Sequence, residues 1–146
     1  MENTNRLLGE YTGDSEGKLF IIIAGIHGNE KTGLIALESI FMHLNEFQPA
    51  FKGKLIGLAG NLKAIGGSTR YVDTDFNRIW NSEIIDEIQN NGVGGHEFHE
   101  YDELKALLAE IDAISQGVDP SNIVFIDLHN TSSAEGMFTF TFEGAD

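Results

Sequence analysis

The stretch Leu19-Phe20-Ile21-Ile22-Ile23-Ala24, continued by Gly25-Ile26-His27-Gly28-Asn29-Glu30, decides the fold of this 146-residue chain. The apolar run is uninterrupted and rich in β-branched side chains, the pattern of a strand covered on both faces in an α/β sheet. Gly25 to Asn29 breaks the strand. Leu34, Leu37, Phe41 and Leu44 then recur at the spacing of one helix face, which predicts a helix from about Glu30 to Glu46. Lys54 to Ala59 reads as the next strand, so residues 19–59 form a βαβ unit with a right-handed crossover as the default. Upstream, Leu7 to Tyr11 and the turn-rich Gly13-Asp14-Ser15-Glu16-Gly17 predict an antiparallel lead-in strand and a hairpin.

Downstream, Gly60 to Arg78 keeps no hydrophobic period, and a long irregular segment in a compact domain is commonly functional. Ser82 is placed to cap a short helix from about Glu83 to Gln89, and Asn90 to Gly95 reads as a mobile loop. Leu104, Leu107, Leu108, Ile111 and Ile114 mark a second amphipathic helix ending near Gly117. Ile123 to Ile126 is another buried-type strand, and Gly136 to Phe142 has the look of one more. The expected fold is a single α/β domain over residues 1–146, with a mostly parallel, mixed central sheet and helices on both faces.

Composition narrows the function. Lys+Arg 9 against Asp+Glu 23 gives a net charge of -14, which opposes binding to phosphate backbones, so no nucleic-acid partner is expected. There is no cysteine, hence no disulfide framework, thiolate metal site or Cys nucleophile. The longest apolar run is far short of the ~20 residues of a membrane span, and Met1 to Arg6 lacks the start of a signal peptide. A cytoplasmic protein with no membrane partner is the expectation.

His27 and Glu30 fall just past the first buried strand, and His129 just past the strand at 123–128. If the two strands are parallel, both ends open on one sheet edge, where α/β folds bind ligands. Two imidazoles and a carboxylate leave a fourth position for water, the pattern of catalytic zinc. Taken singly, each residue also has an ordinary structural explanation. Glu30 suits a helix N-terminus, Asn29 suits a cap, and histidines are often simply buried.

The chain has only three arginines, and two of them lie in Arg70-Tyr71-Val72-Asp73-Thr74-Asp75-Phe76-Asn77-Arg78. Clustered guanidinium groups in so acidic a protein suggest a carboxylate-binding segment, with Asn77 as a neutral partner. The alternative is that Arg70 and Arg78 merely neutralise Asp73 and Asp75 at the surface. Two decoys accompany these motifs. Gly13 to Gly17 fits G-x-S-x-G but is followed by a strand where a serine hydrolase needs a helix. His96-Glu97-Phe98-His99-Glu100 imitates a zinc motif and reads as a solvated segment, while Trp80 reads as packing beneath the irregular segment.

Together, His27-Gly28-Asn29-Glu30, then Arg70 with Asp75-Phe76-Asn77-Arg78, then Asp127-Leu128-His129-Asn130-Thr131 resemble the succinylglutamate desuccinylase/aspartoacylase family, relatives of the zinc carboxypeptidases. The resemblance runs from about Lys18 to Thr131. It implies a zinc-carboxypeptidase-like fold and one Zn2+ per chain held by His27, Glu30 and His129. It also implies that Arg70 polarises the scissile carbonyl, that Asn77 and Arg78 hold the substrate's carboxylate, and that Asp75 hydrogen-bonds His27. The implied reaction is hydrolysis of the amide of a small N-acyl acidic amino acid. The family's catalytic glutamate lies well beyond the Asp-Leu-His-Asn-Thr motif, whereas only seventeen residues follow His129 and their carboxylates include Glu135 and Glu143 outside the family context. The chain is therefore expected to be the N-terminal part of a longer enzyme, with an edge strand that invites homo-oligomerisation. The alternatives are a zinc carboxypeptidase or peptidoglycan-peptide hydrolase, and a zinc- or anion-binding module without turnover.

Overall fold

Alternation along the first buried strand sorts its side chains between two cores. The computed structural model, described over residues 5–91, 98–130 and 139, places that strand, β2 (Ser15–Ala24), inside the sheet. Leu19, Ile21 and Ile23 point into one apolar cluster, while Ile22 and Ala24 face the other. That two-residue period is what a strand covered on both faces requires. β3 (Lys52–Ala59) and β4 (Ile123–Leu128) pair with β2 in parallel, one on each side. β1 (Leu7–Thr12) runs antiparallel to β3, giving the strand order β1-β3-β2-β4.

α1 (Thr32–Phe47) covers one face through Leu37 and Phe41. Phe41 can lie flat on the sheet because Gly9 and Gly57, partners across β1 and β3, present no side chain beneath it. The opposite face is covered by α3 (Phe76–Ile79), α4 (Ser82–Asn91) and α5 (His99–Ser115), whose Phe76, Ile88, Leu104 and Leu107 join Ile21, Ile23, Ile56 and Leu58. A short α2 (Leu62–Gly67) follows β3 directly, capped by the Asn61 side chain, which accepts from the Ala64 amide.

Several sequence expectations change. The lead-in strand forms no hairpin with β2, because its turn wraps the start of β3: the Gly13 and Asp14 amides donate to the Gly53 and Phe51 carbonyls. Asn29 does not cap α1, which begins at Thr32 without a side-chain cap. Residues 60–78 carry α2 and the start of α3, too short for a hydrophobic period to register. Asn81, one residue before the expected cap, accepts from the Ile84 amide and starts α4. β4 is less covered than a buried-type strand, with Phe125 44% and Ile126 37% exposed, since among the described residues it pairs only with β2. The expected strand at Gly136–Phe142 and most of the Asn90–Gly95 loop lie outside the described residues. No helix among the described residues is long and apolar enough to cross a membrane.

Candidate metal centre

Each parallel strand delivers one piece of the site at its carboxyl end: the turn His27–Glu30 after β2, the segment Arg70–Asp75 after β3 and α2, and His129 after β4. The first is a tight turn in which the Glu30 amide donates to the His27 carbonyl at 3.0 Å. Gly28 is obligatory there, because a Cβ would sit 2.0 Å from the Ala64 carbonyl carbon at the back of the turn. Its amide donates to the Arg70 carbonyl at 3.2 Å, so the second segment is bound to the first.

The three expected ligands converge. His27, Glu30 and His129 offer donor atoms that all lie within 4.8 Å of one another. Glu30 is the hub, its Oε1 2.9 Å from His27 Nδ1 and its Oε2 3.0 Å from His129 Nδ1, with the Asn130 amide donating to Oε2 at 2.8 Å. Zinc bonds of about 2.0–2.2 Å separate tetrahedral ligand atoms by roughly 3.4 Å. A small expansion of these contacts therefore fits a zinc ion, and the donor set of two imidazoles and a carboxylate suits it.

The far ring nitrogens strengthen that fit. His27 Nε2 lies 3.1 Å from Asp75 Oδ1, and His129 Nε2 lies 2.7 Å from Asp127 Oδ2. A carboxylate on Nε2 fixes the proton there and leaves the Nδ1 lone pair aimed at the shared centre. Asp75 thus stands where the resemblance put it. Asp127, quoted in its motif but given no role, does the same for His129. Its signal is the two-residue spacing at a strand end, which points both side chains to one side of the sheet.

Electrostatics follow from these contacts. The hydrogen bond to Asp127 is the largest influence on His129; burial opposes it, and the Asp127 and Glu30 charges add to it, raising the ring to about 9. Burial pushes the Glu30 carboxyl up, but the Asn130 amide and both histidines outweigh it and hold the group below its ordinary value. Asp75 is likewise lowered, with burial outweighed by His27, the Asn77 amide and Arg70.

Arg70 reaches the site, its guanidinium 3.3 Å from Glu30 Oε1 and 3.4 Å from Asp75 Oδ2. Asn77 and Arg78 stand exposed on the single turn of α3 that Asp75 caps. Among the described residues, no hydrogen bond or ion pair ties either side chain to His27, Glu30 or His129. Trp80 packs between the rings of Phe76 and Phe125. Ser15 of the G-x-S-x-G decoy is exposed at the start of β2. Glu135, Glu143, Thr131, His96 and Glu97 lie outside the described residues.

Glu100 overturns the expectation of a solvated segment. It is 0% exposed and accepts from the Asn61 side chain and the Val72, Asp73 and Thr74 amides at 2.6–3.1 Å. Burial raises its carboxyl, and these donors outweigh burial and lower it. The signal was present, since Glu100 lies four residues before Leu104 on the apolar face of α5.

The fold and the site define an α/β protein with a zinc-carboxypeptidase-like fold and a candidate metal centre at the carboxyl edge of its parallel strands. The chain belongs to the succinylglutamate desuccinylase/aspartoacylase family, whose catalytic-domain profile matches residues 16–142. It is 28% identical over 118 residues to a probable aspartoacylase from Nostoc, covering 80% of this chain and 36% of that protein. An aspartoacylase from Danio rerio is 29% identical over 131 residues, 83% of this chain and 36% of the relative. The crystal structure of a succinylglutamate desuccinylase from Vibrio parahaemolyticus superposes with a TM-score of 0.65 at 19% identity, covering 80% of this chain and 36% of that one. The chain thus spans about a third of the length of the curated relatives it matches.

Proposed function

We propose that residues 1–146 form a single zinc-hydrolase-like domain, the N-terminal part of a longer enzyme that hydrolyses the amide of an N-acyl amino acid. The supporting observation is the convergence of His27, Glu30 and His129, each imidazole backed on Nε2 by its own carboxylate. In this reading those three residues hold one zinc ion. Bound there, zinc supplies Lewis acidity and a water acidified to a pKa of about 7.

The remaining steps belong to the chain. Asp75 and Asp127 hold the Nε2 protons so that both Nδ1 atoms stay available as ligands. Arg70 stands beside Glu30, and in this reading it turns from the carboxylates toward the scissile carbonyl and stabilises the negative charge developing there. Asn77 and Arg78 take the substrate's carboxylate, which orients the amide.

A second reading, a zinc- and anion-binding module without turnover, is favoured by one observation. Among the described residues, the carboxylates beside the centre are already engaged: Glu30 as hub, Asp75 on His27 and Asp127 on His129. None of these three described carboxylates is free to move a proton, and general acid/base catalysis contributes about 10²–10⁴-fold. Titration of the zinc-loaded chain with an N-acyl aspartate, followed by an amine-release assay, separates the two readings. Binding with release at least ~10²-fold slower than that of a full-length relative is expected. Equal rates would contradict the account of the general acid/base, and no binding would contradict the assignment of Asn77 and Arg78.

A further inference from the structure

The carboxylate of Glu100 is 0% exposed, and both of its oxygens accept hydrogen bonds. Three consecutive backbone amides, those of Val72, Asp73 and Thr74, converge on its two oxygens, and Asn61 supplies a fourth donor. Successive amides of this kind form a concave anion site, here filled by the protein's own side chain. The clasp is reciprocal, because Asp73 Oδ2 accepts from the His99 amide at the start of α5 at 2.8 Å. The residue that follows Thr74 is Asp75, which reaches His27 Nε2 and caps α3 through the Asn77 amide.

We infer that Glu100 is a positioning residue for the metal centre: from α5 it fixes the chain at 72–74, and through that chain it sets Asp75 against His27. Burying a carboxylate is costly unless its partners are all in place, so the charge specifies one loop position rather than a range. Glutamine cannot replace it, because either orientation of the amide turns an NH2 group toward backbone donors. The inference rests on the proposed zinc site for its affinity readout but not for its structural one.

The test is a double-mutant cycle on zinc affinity, measured by chelator competition on the full chain, with Glu100→Gln, Asp75→Asn and the pair. Removing a carboxylate behind a ligating histidine weakens metal binding by about 10–100-fold. Glu100→Gln alone is expected to lower affinity about tenfold, and the double variant to bind like Asp75→Asn to within about twofold. Wild-type affinity in Glu100→Gln, or losses that multiply in the double variant, would overturn the inference. Amide exchange in the metal-free chain gives the second readout. Exchange at residues 72–74 should accelerate at least about tenfold in Glu100→Gln while β2 and β3 stay protected. Unchanged exchange there would overturn the inference even if the wild type bound no zinc, a result that would defeat the proposed function instead. Should Glu100→Gln not fold, Asn61→Asp keeps the cap of α2 but sets a like charge against Glu100, and the same two readouts apply with the same expected directions.

Discussion

His129 shows how a single side chain couples the centre to pH. Its pKa of about 9 means that zinc must displace a proton at neutral pH. Affinity should rise about tenfold per pH unit, roughly 100-fold between pH 6.5 and 8.5, and chelator competition at the two values checks this. Metal-free stability has the opposite dependence. The raised His129 contributes fully below its ordinary value of 6.5 and loses that contribution as pH climbs toward 9. Glu30, Asp75 and Glu100 are lowered, so their contributions are present above their ordinary values of 4.5, 3.8 and 4.5 and are lost on acidification. Thermal melts of the metal-free chain should therefore peak between about pH 4.5 and 6.5. Asp127→Asn should flatten the alkaline limb, and an unchanged limb would reassign its cause. Gly28→Ala tests the turn: Ala64 leaves no room for the methyl, so zinc affinity should fall by more than about tenfold.

At the scale of elements, α5 both closes one core and anchors the loop that serves the site. Leu104 is 0% exposed, so Leu104→Ala should cost about 2–5 kcal/mol in urea unfolding. Ile35 on the outer face of α1 is 64% exposed, and Ile35→Ala should stay within about 0.5 kcal/mol. Comparable losses would mean that the buried face of α5 or the exposed face of α1 is misassigned. Strands and long helices were legible in the sequence because burial imposes a period on them: Ile21 and Ile23 at two residues, Leu37 and Phe41 at four. The hairpin misled because turn residues report that a chain reverses, not which strand it reverses against. Gly13 bonds to Gly53 in β3 and Asp14 to Phe51 just before it instead. Glu100 was misread because a carboxylate is ordinarily solvated: its place on the apolar face of α5 signalled burial, but the backbone donors that make burial tolerable leave no side-chain pattern.

For the whole molecule, the site was legible because three motifs far apart in sequence fall at the ends of parallel strands. His27 and His129 are 102 positions apart, yet their rings stand 5.0 Å apart between centroids. What the sequence concealed is how the loops lock together: the grip of Asp75 on His27 was implied by the resemblance, whereas that of Asp127 on His129 and the clasp of Glu100 on residues 72–74 were not. The net charge of -14 favours cation binding and opposes anionic ligands away from local cationic groups such as Arg70 and Arg78. Zinc bound to the folded chain alone should stabilise it by about 2.7 kcal/mol at 100 times its dissociation constant. The most direct measurement is zinc content after equilibrium dialysis of the wild type, His27→Ala and His129→Ala. The account predicts one zinc per wild-type chain and a loss of bound metal in both variants. Retention of equal zinc by the variants, or none bound by the wild type, would contradict it.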